Sequence, residues 1–309
     1  MNKLIMLLMA AVLVAGCTGQ TDGNNMPSGN GLSILSFTSD TDSQVSSQDV
    51  RLLLTVENGG GSVIDAGKSL IYLMGSVGTG QWTFVDGTTT TQLTKNLNPY
   101  DPLKELPAGK ADIKWRLKAP VLEAGQTRTD TFTARAYYDY ETRVTGTIPV
   151  YSEAEAQAAK QSGTTIQKSE FTTTNGPISV SVRAIPDPLV SSADVETVTL
   201  ELTVENMGGG TLYKNGVINS GTTEPDLKYD DLNKVYLEVV STDTNLEIVD
   251  AACRGGYQDL IGGKPTTLTC DLKTKDMPSA KTVYPVKITM KYGYYIDQPL
   301  SVTVVGKRA

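Results

Sequence analysis

From Leu32 onward the chain alternates between apolar and polar residues. Leu52, Leu54 and Val56 fall on one face of a segment from Arg51 to Glu57, and Val198, Leu200, Leu202 and Val204 repeat the arrangement. A period of two marks a strand with one buried face. Both segments end in nearly the same letters, TVENGGG from Thr55 and TVENMGGG from Thr203. Asn and Gly tolerate positive φ, so this ending reads as a tight strand exit used twice.

The repetition continues down the chain. Ile113, Trp115 and Leu117 match Leu268, Cys270 and Leu272, each trio followed by Lys. Phe132, Ala134, Ala136, Tyr138 and Tyr140 match Val286, Ile288, Met290, Tyr292 and Tyr294. Final strands follow at Thr147–Val150 and Ser301–Val304. Between the two copies lies the one helical pattern, Ser152 to Ser162, with Glu155 completing a capping-box signature and Gly163 as a stop. Its apolar face is alanine only, which suits a linker.

These patterns predict an all-β protein: two tandem immunoglobulin-like β-sandwich domains joined by a short helical linker. The expected boundaries are residues 32–151 for the first sandwich, 152–175 for the linker and 176–306 for the second. The strand ending in Val-Glu-Asn-Gly, Leu106-Pro-Ala-Gly109, Trp115-Arg-Leu117 and the Glu123-Ala-Gly-Gln126 turn resemble the CARDB domain of bacteria and archaea. The resemblance covers both halves, and its motifs are structural and loose. It implies an adhesion-related β-sandwich with no catalytic residue.

The N-terminus differs from everything after it. Lys3 precedes an apolar run from Leu4 to Val14, too short to cross a bilayer and suited to a signal peptide over residues 1–16. Val14-Ala15-Gly16-Cys17 resembles the lipobox of prokaryotic lipoproteins. That resemblance implies that Cys17 becomes the lipidated first residue and residues 17–31 a flexible tether. The alternative is an ordinary signal peptide that happens to contain a Cys. The expected location is extracytoplasmic, lipid-anchored to the outer face of the cell membrane, with a lean toward an archaeal source.

Composition narrows the chemistry. The 309 residues carry a formal net charge of −7 with a pI near 4.8, which argues against nucleic acid as a partner. The absence of histidine removes His-based triads, His general bases and His-ligated metals. No cofactor is expected and no enzymatic activity; other surface proteins or glycans are the expected partners. Cys253 and Cys270 both fall on core-facing positions, which favours a disulfide in an exported protein; the alternative is two buried free thiols. Two tyrosine clusters, Tyr137, Tyr138, Tyr140 and Tyr292, Tyr294, Tyr295, stand out. Alternate residues pack inward, and the outward ones are candidates for a surface that stacks on sugar or protein. The acidic pairs Asp40 with Asp42 and Asp230 with Asp231 read as solvated loop carboxylates rather than a calcium site. The function expected is non-catalytic: adhesion, envelope structure or protein binding at the surface. An accessory lipoprotein that captures a glycan or peptide is the alternative.

Overall fold

The computed structural model describes residues 31–77, 81–191, 196–219, 221–223, 225–275 and 280–307. The signal-peptide reading and Cys17 lie outside them.

The described chain is all-β apart from one α-helix and three short 3-10 turns. The first half contains β1 (Leu32–Ser39), β2 (Ser43–Val45), β3 (Asp49–Asn58), β4 (Ser69–Gly75), β5 (Thr83–Asp86), β6 (Thr90–Thr91), β7 (Lys110–Lys118) and β8 (Thr127–Ser152). The helix α1 (Glu153–Ser162) follows, with the Ser152 hydroxyl accepting from the Glu155 N–H and Gly163 left-handed at φ 70°. The second half contains β9 (Glu170–Thr173), β10 (Ile178–Ile185), β11 (Leu189–Ser191), β12 (Thr197–Asn206), β13 (Thr211–Tyr213), β14 (Lys234–Ser241), β15 (Leu246–Ile248), β16 (Gly256–Asp259), β17 (Thr266–Thr274) and β18 (Thr282–Val305).

Each half has its own four-stranded sheet, in the orders β1-β3-β7-β5 and β10-β12-β17-β15. These orders are equivalent strand for strand, which the repeated alternation anticipates. The third sheet is common to both halves. Its path runs β16-β14-β18-β8-β4-β6, and its centre is the antiparallel pair β8 and β18, in register from Thr127 opposite Val305 to Val150 opposite Thr282. One buried apolar cluster runs from Leu52 and Trp115 through Tyr138 and Tyr292 to Leu200 and Cys270.

The pairing ties the two expected domains together. Residues 132–140 and 147–150 read as two strands but are one continuous strand, and 286–294 and 301–304 likewise. The C-terminal part of β8 pairs with β9 and β11 of the second half, while the end of β18 pairs with β2 of the first. A boundary at residue 151 therefore cuts through a shared sheet. Asp297-Gln298-Pro299 lies inside β18. Pro299 is tolerated there because that stretch of β18 has no described partner on its outer edge.

Candidate functional site

The residues opposite one another in the central ladder reveal the symmetry of the molecule. Tyr138 faces Tyr294, Tyr140 faces Tyr292, and Asp139 faces Gly293 between them. Exchanging the two halves maps this set onto itself, so an approximate two-fold axis passes between Asp139 and Gly293. The four even-numbered tyrosines point into the core, and each is at most 3% exposed.

Their hydroxyls explain the repeated Asn-Gly motif. The Tyr140 hydroxyl accepts from the Ser62 N–H at 3.0 Å and donates to Asn175 O at 2.9 Å. The Tyr294 hydroxyl accepts from the Gly210 N–H at 2.7 Å and donates to Asn206 Oδ1 at 2.7 Å. Asn58 and Asn206 each hold the turn closed, donating to Ser62 O and Gly210 O and accepting from the Gly60 and Gly208 N–H groups. A Cβ on Gly60 would come within 1.9 Å of the Tyr140 oxygen, and one on Gly208 within 2.6 Å of the Tyr294 oxygen. The motif is thus a socket for a tyrosine from the central strand. Burial pushes the hydroxyls of Tyr138 and Tyr292 well above the usual phenol range, partly opposed by the Leu32 amide at the first and by Thr142 at the second.

On the other face of the central ladder the symmetry breaks. Tyr213 lies across Gly293, where any side chain would collide with its ring, and packs with Tyr137 and Tyr295. Arg135 stacks on Tyr295 at 4.2 Å and forms a two-pronged ion pair with Asp297. Beside this aromatic patch, Asp139 sits at the floor of a pocket of about 610 Å³, with Asp65, Lys68, Asn96, Glu141 and Asn215 in its walls. One oxygen of Asp139 accepts from the Gly216 N–H at 2.9 Å; the other is buried without a partner among the described residues. Burial raises the Asp139 carboxyl to about 6, against the pull of the Gly216 amide and Lys68. The pocket offers amide and ammonium donors next to carboxylate acceptors, so it is chemically suited to a polar, hydrogen-bonding ligand.

The residues singled out in the sequence are placed as follows. Cys253 and Cys270 form a disulfide, with Cys270 fully buried in β17. The six tyrosines do come together around the two-fold, but not as an exposed platform. Tyr137, Tyr138, Tyr140, Tyr292 and Tyr294 are buried, and Tyr295 is half-buried under Arg135. Alternation correctly separates the two faces; it does not reveal that Tyr213, Ile218 and Leu232 cover the outer one. Asp40 accepts from the Arg51 N–H of the neighbouring strand β3, and Asp231 from the Lys228 N–H within a turn. No cluster of three or more His, Cys, Asp or Glu suited to a metal occurs among the described residues. No helix among them is long and apolar enough to cross a membrane. Sequence reasoning missed Asp139, Lys68 and Asn215. The available signal was the mismatch of Asp139 with Gly293 in otherwise matching strands.

No protein-family model matches the chain, and no curated protein does. Among solved structures, a secreted serine protease, VesC from Vibrio cholerae, aligns over 84% of this chain and 49% of its own, at 9% identity and a TM-score of 0.20. The present chain spans about half the length of that protease. The collagen adhesin (CNA) from S. aureus aligns over 91% and 96%, at 9% identity and a TM-score of 0.10. At such scores neither likeness carries an argument about fold or activity, and the chain is described by its own architecture: an all-β molecule of two equivalent halves built on one shared sheet.

Proposed function

We propose that this is a non-catalytic, lipid-anchored surface protein whose two immunoglobulin-like halves act together as a rigid module for adhesion or envelope structure. The single observation that carries the reading is the unbroken β8–β18 ladder, which ties both halves into one body able to transmit force or hold a partner at fixed geometry. The lipobox-like Val14-Ala15-Gly16-Cys17 supplies the membrane attachment in this reading, and surface proteins or glycans are its partners. The CARDB-like pattern and the lean toward archaea belong to the same proposal. A second reading, capture of a small polar ligand at the surface, is favoured by the Asp139 pocket.

The test is fractionation of native cells carrying the natural chain or Cys17→Ser, with mass measurement of the mature N-terminus. The expected result is a lipid-modified Cys17 in the membrane fraction and loss of that modification in the variant. An unmodified soluble protein in both would overturn the anchor.

A further inference from the structure

The pocket at Asp139 has a counterpart in the other half, and that counterpart is filled. The two-fold that carries Tyr140 onto Tyr294 also carries Asp139 onto Gly293. The tyrosine sockets extend the match into the loops. Ser62 and Gly210 donate their N–H groups to those two hydroxyls, so Asp65 and Tyr213, each three residues on, stand at equivalent places. In the second half Tyr213 pairs with Gly293, and its ring lies where a side chain at 293 would be. In the first half the same two places hold Asp65 and Asp139, and a pocket of about 610 Å³ takes the place of the ring. One half plugs the site with an aromatic ring over glycine; the other lines it with two carboxylates.

The charges in this pocket are not balanced within the protein. Glu141 pairs with Arg143, and Lys291 approaches Glu238 at 3.9 Å. Asp65, Asp139 and Lys68 form no ion pair among the described residues. They do sense one another: Lys68 and Asp65 act on the Asp139 carboxyl with opposite sign. Two amides at the same pocket are fixed in orientation. Asn96 Oδ1 accepts from the Ala66 N–H at 2.9 Å, and Asn215 Oδ1 accepts from the Tyr257 hydroxyl at 3.0 Å. Each side-chain NH2 group is left as a donor, with no partner among the described residues.

This arrangement selects among ligands. A bare metal ion fits poorly, because no group of three or more metal-ligating residues occurs among the described residues and Lys68 would repel it. A neutral polyol would cover the carboxylates and the ammonium without neutralising either, and covered charges without partners are costly. A ligand carrying both signs neutralises both.

We propose that this pocket binds a small zwitterion of the amino-acid type, with its ammonium held by Asp139 and Asp65 and its carboxylate by Lys68, Asn96 and Asn215. The inference rests on the polar-ligand reading of the pocket and names the ligand class for it.

Titration with an equimolar mixture of the common amino acids tests it, followed through the backbone amide resonances of Asn215 and Gly216, with glucose as the uncharged control. The expected result is that the amino acids shift these resonances and glucose does not. Asp139→Asn and Lys68→Met should each weaken the binding by about tenfold or more, while resonances away from the pocket stay in place and report an intact fold. Weakening by Asp139→Asn alone would show a plain cation site and overturn the proposal. Binding that neither variant weakens lies elsewhere and also overturns it. A response to glucose without one to the amino acids overturns the zwitterion and leaves the polar-ligand reading standing; no response to either overturns both.

Discussion

The Asp139 carboxylate has an energetic cost that can be measured. Its folded value of about 6 lies above the ordinary carboxyl value of 3.8, so the folded state binds the proton more tightly. Below pH 4 both states are protonated and there is no penalty. Stability is lost as pH rises from about 4 to about 6, and the loss is complete above that. Asp139→Asn keeps an acceptor for the Gly216 N–H and removes the charge. At about 1.4 kcal/mol per pH unit, the variant is expected to be more stable at pH 7 by on the order of 3 kcal/mol. The advantage should vanish at pH 4 in urea titrations. The tyrosine sockets give a second test. Tyr140→Phe leaves the Ser62 N–H and Asn175 O without that hydroxyl, at an expected cost of about 1–3 kcal/mol. Gly60→Ala forces a Cβ against the same oxygen and should cost a comparable amount. In a double-mutant cycle the two losses are expected to be less than additive; strict additivity would show that they do not act on one contact. The Asn-Gly turns were legible in the sequence as strand exits. Their role as sockets was not, because the tyrosine that fills each one lies some eighty residues away in Tyr140 or Tyr294.

The disulfide is an element-scale device. It pins the short turn at Ala251–Cys253 to β17 across a sequence separation of 17 residues. Loop-closure reasoning gives about 3 kcal/mol for a loop of this size. Replacing both cysteines by Ala is therefore expected to lower the urea midpoint of the whole protein. In the first half Trp115 occupies the place of Cys270, and its indole N–H donates to Thr88 O at 3.0 Å. The strands themselves were readable from alternation: Leu52, Leu54 and Val56 are all buried, as are Val198, Leu200, Leu202 and Val204. Which strands would pair was not readable. A period of two assigns faces, not neighbours, and the decisive partners β8 and β18 are separated by more than a hundred residues.

At the scale of the whole molecule, two halves that share a sheet should unfold together. Both tryptophans, Trp82 and Trp115, lie in the first half, so their fluorescence reports on that half. Far-ultraviolet circular dichroism reports on both. The two urea curves are expected to coincide; a separate later or earlier transition in the dichroism would show that the halves are energetically independent.

The position of Gly31 has a consequence for orientation. A side chain placed there would touch Tyr138 and Pro177, so the chain enters the body beside the two-fold axis and not at either tip. If the chain is anchored through Cys17 as proposed, it would present its two four-stranded sheets to left and right of the attachment point, like the arms of a balance. Both arms would then stand at similar heights above the membrane, equally open to neighbours on either side.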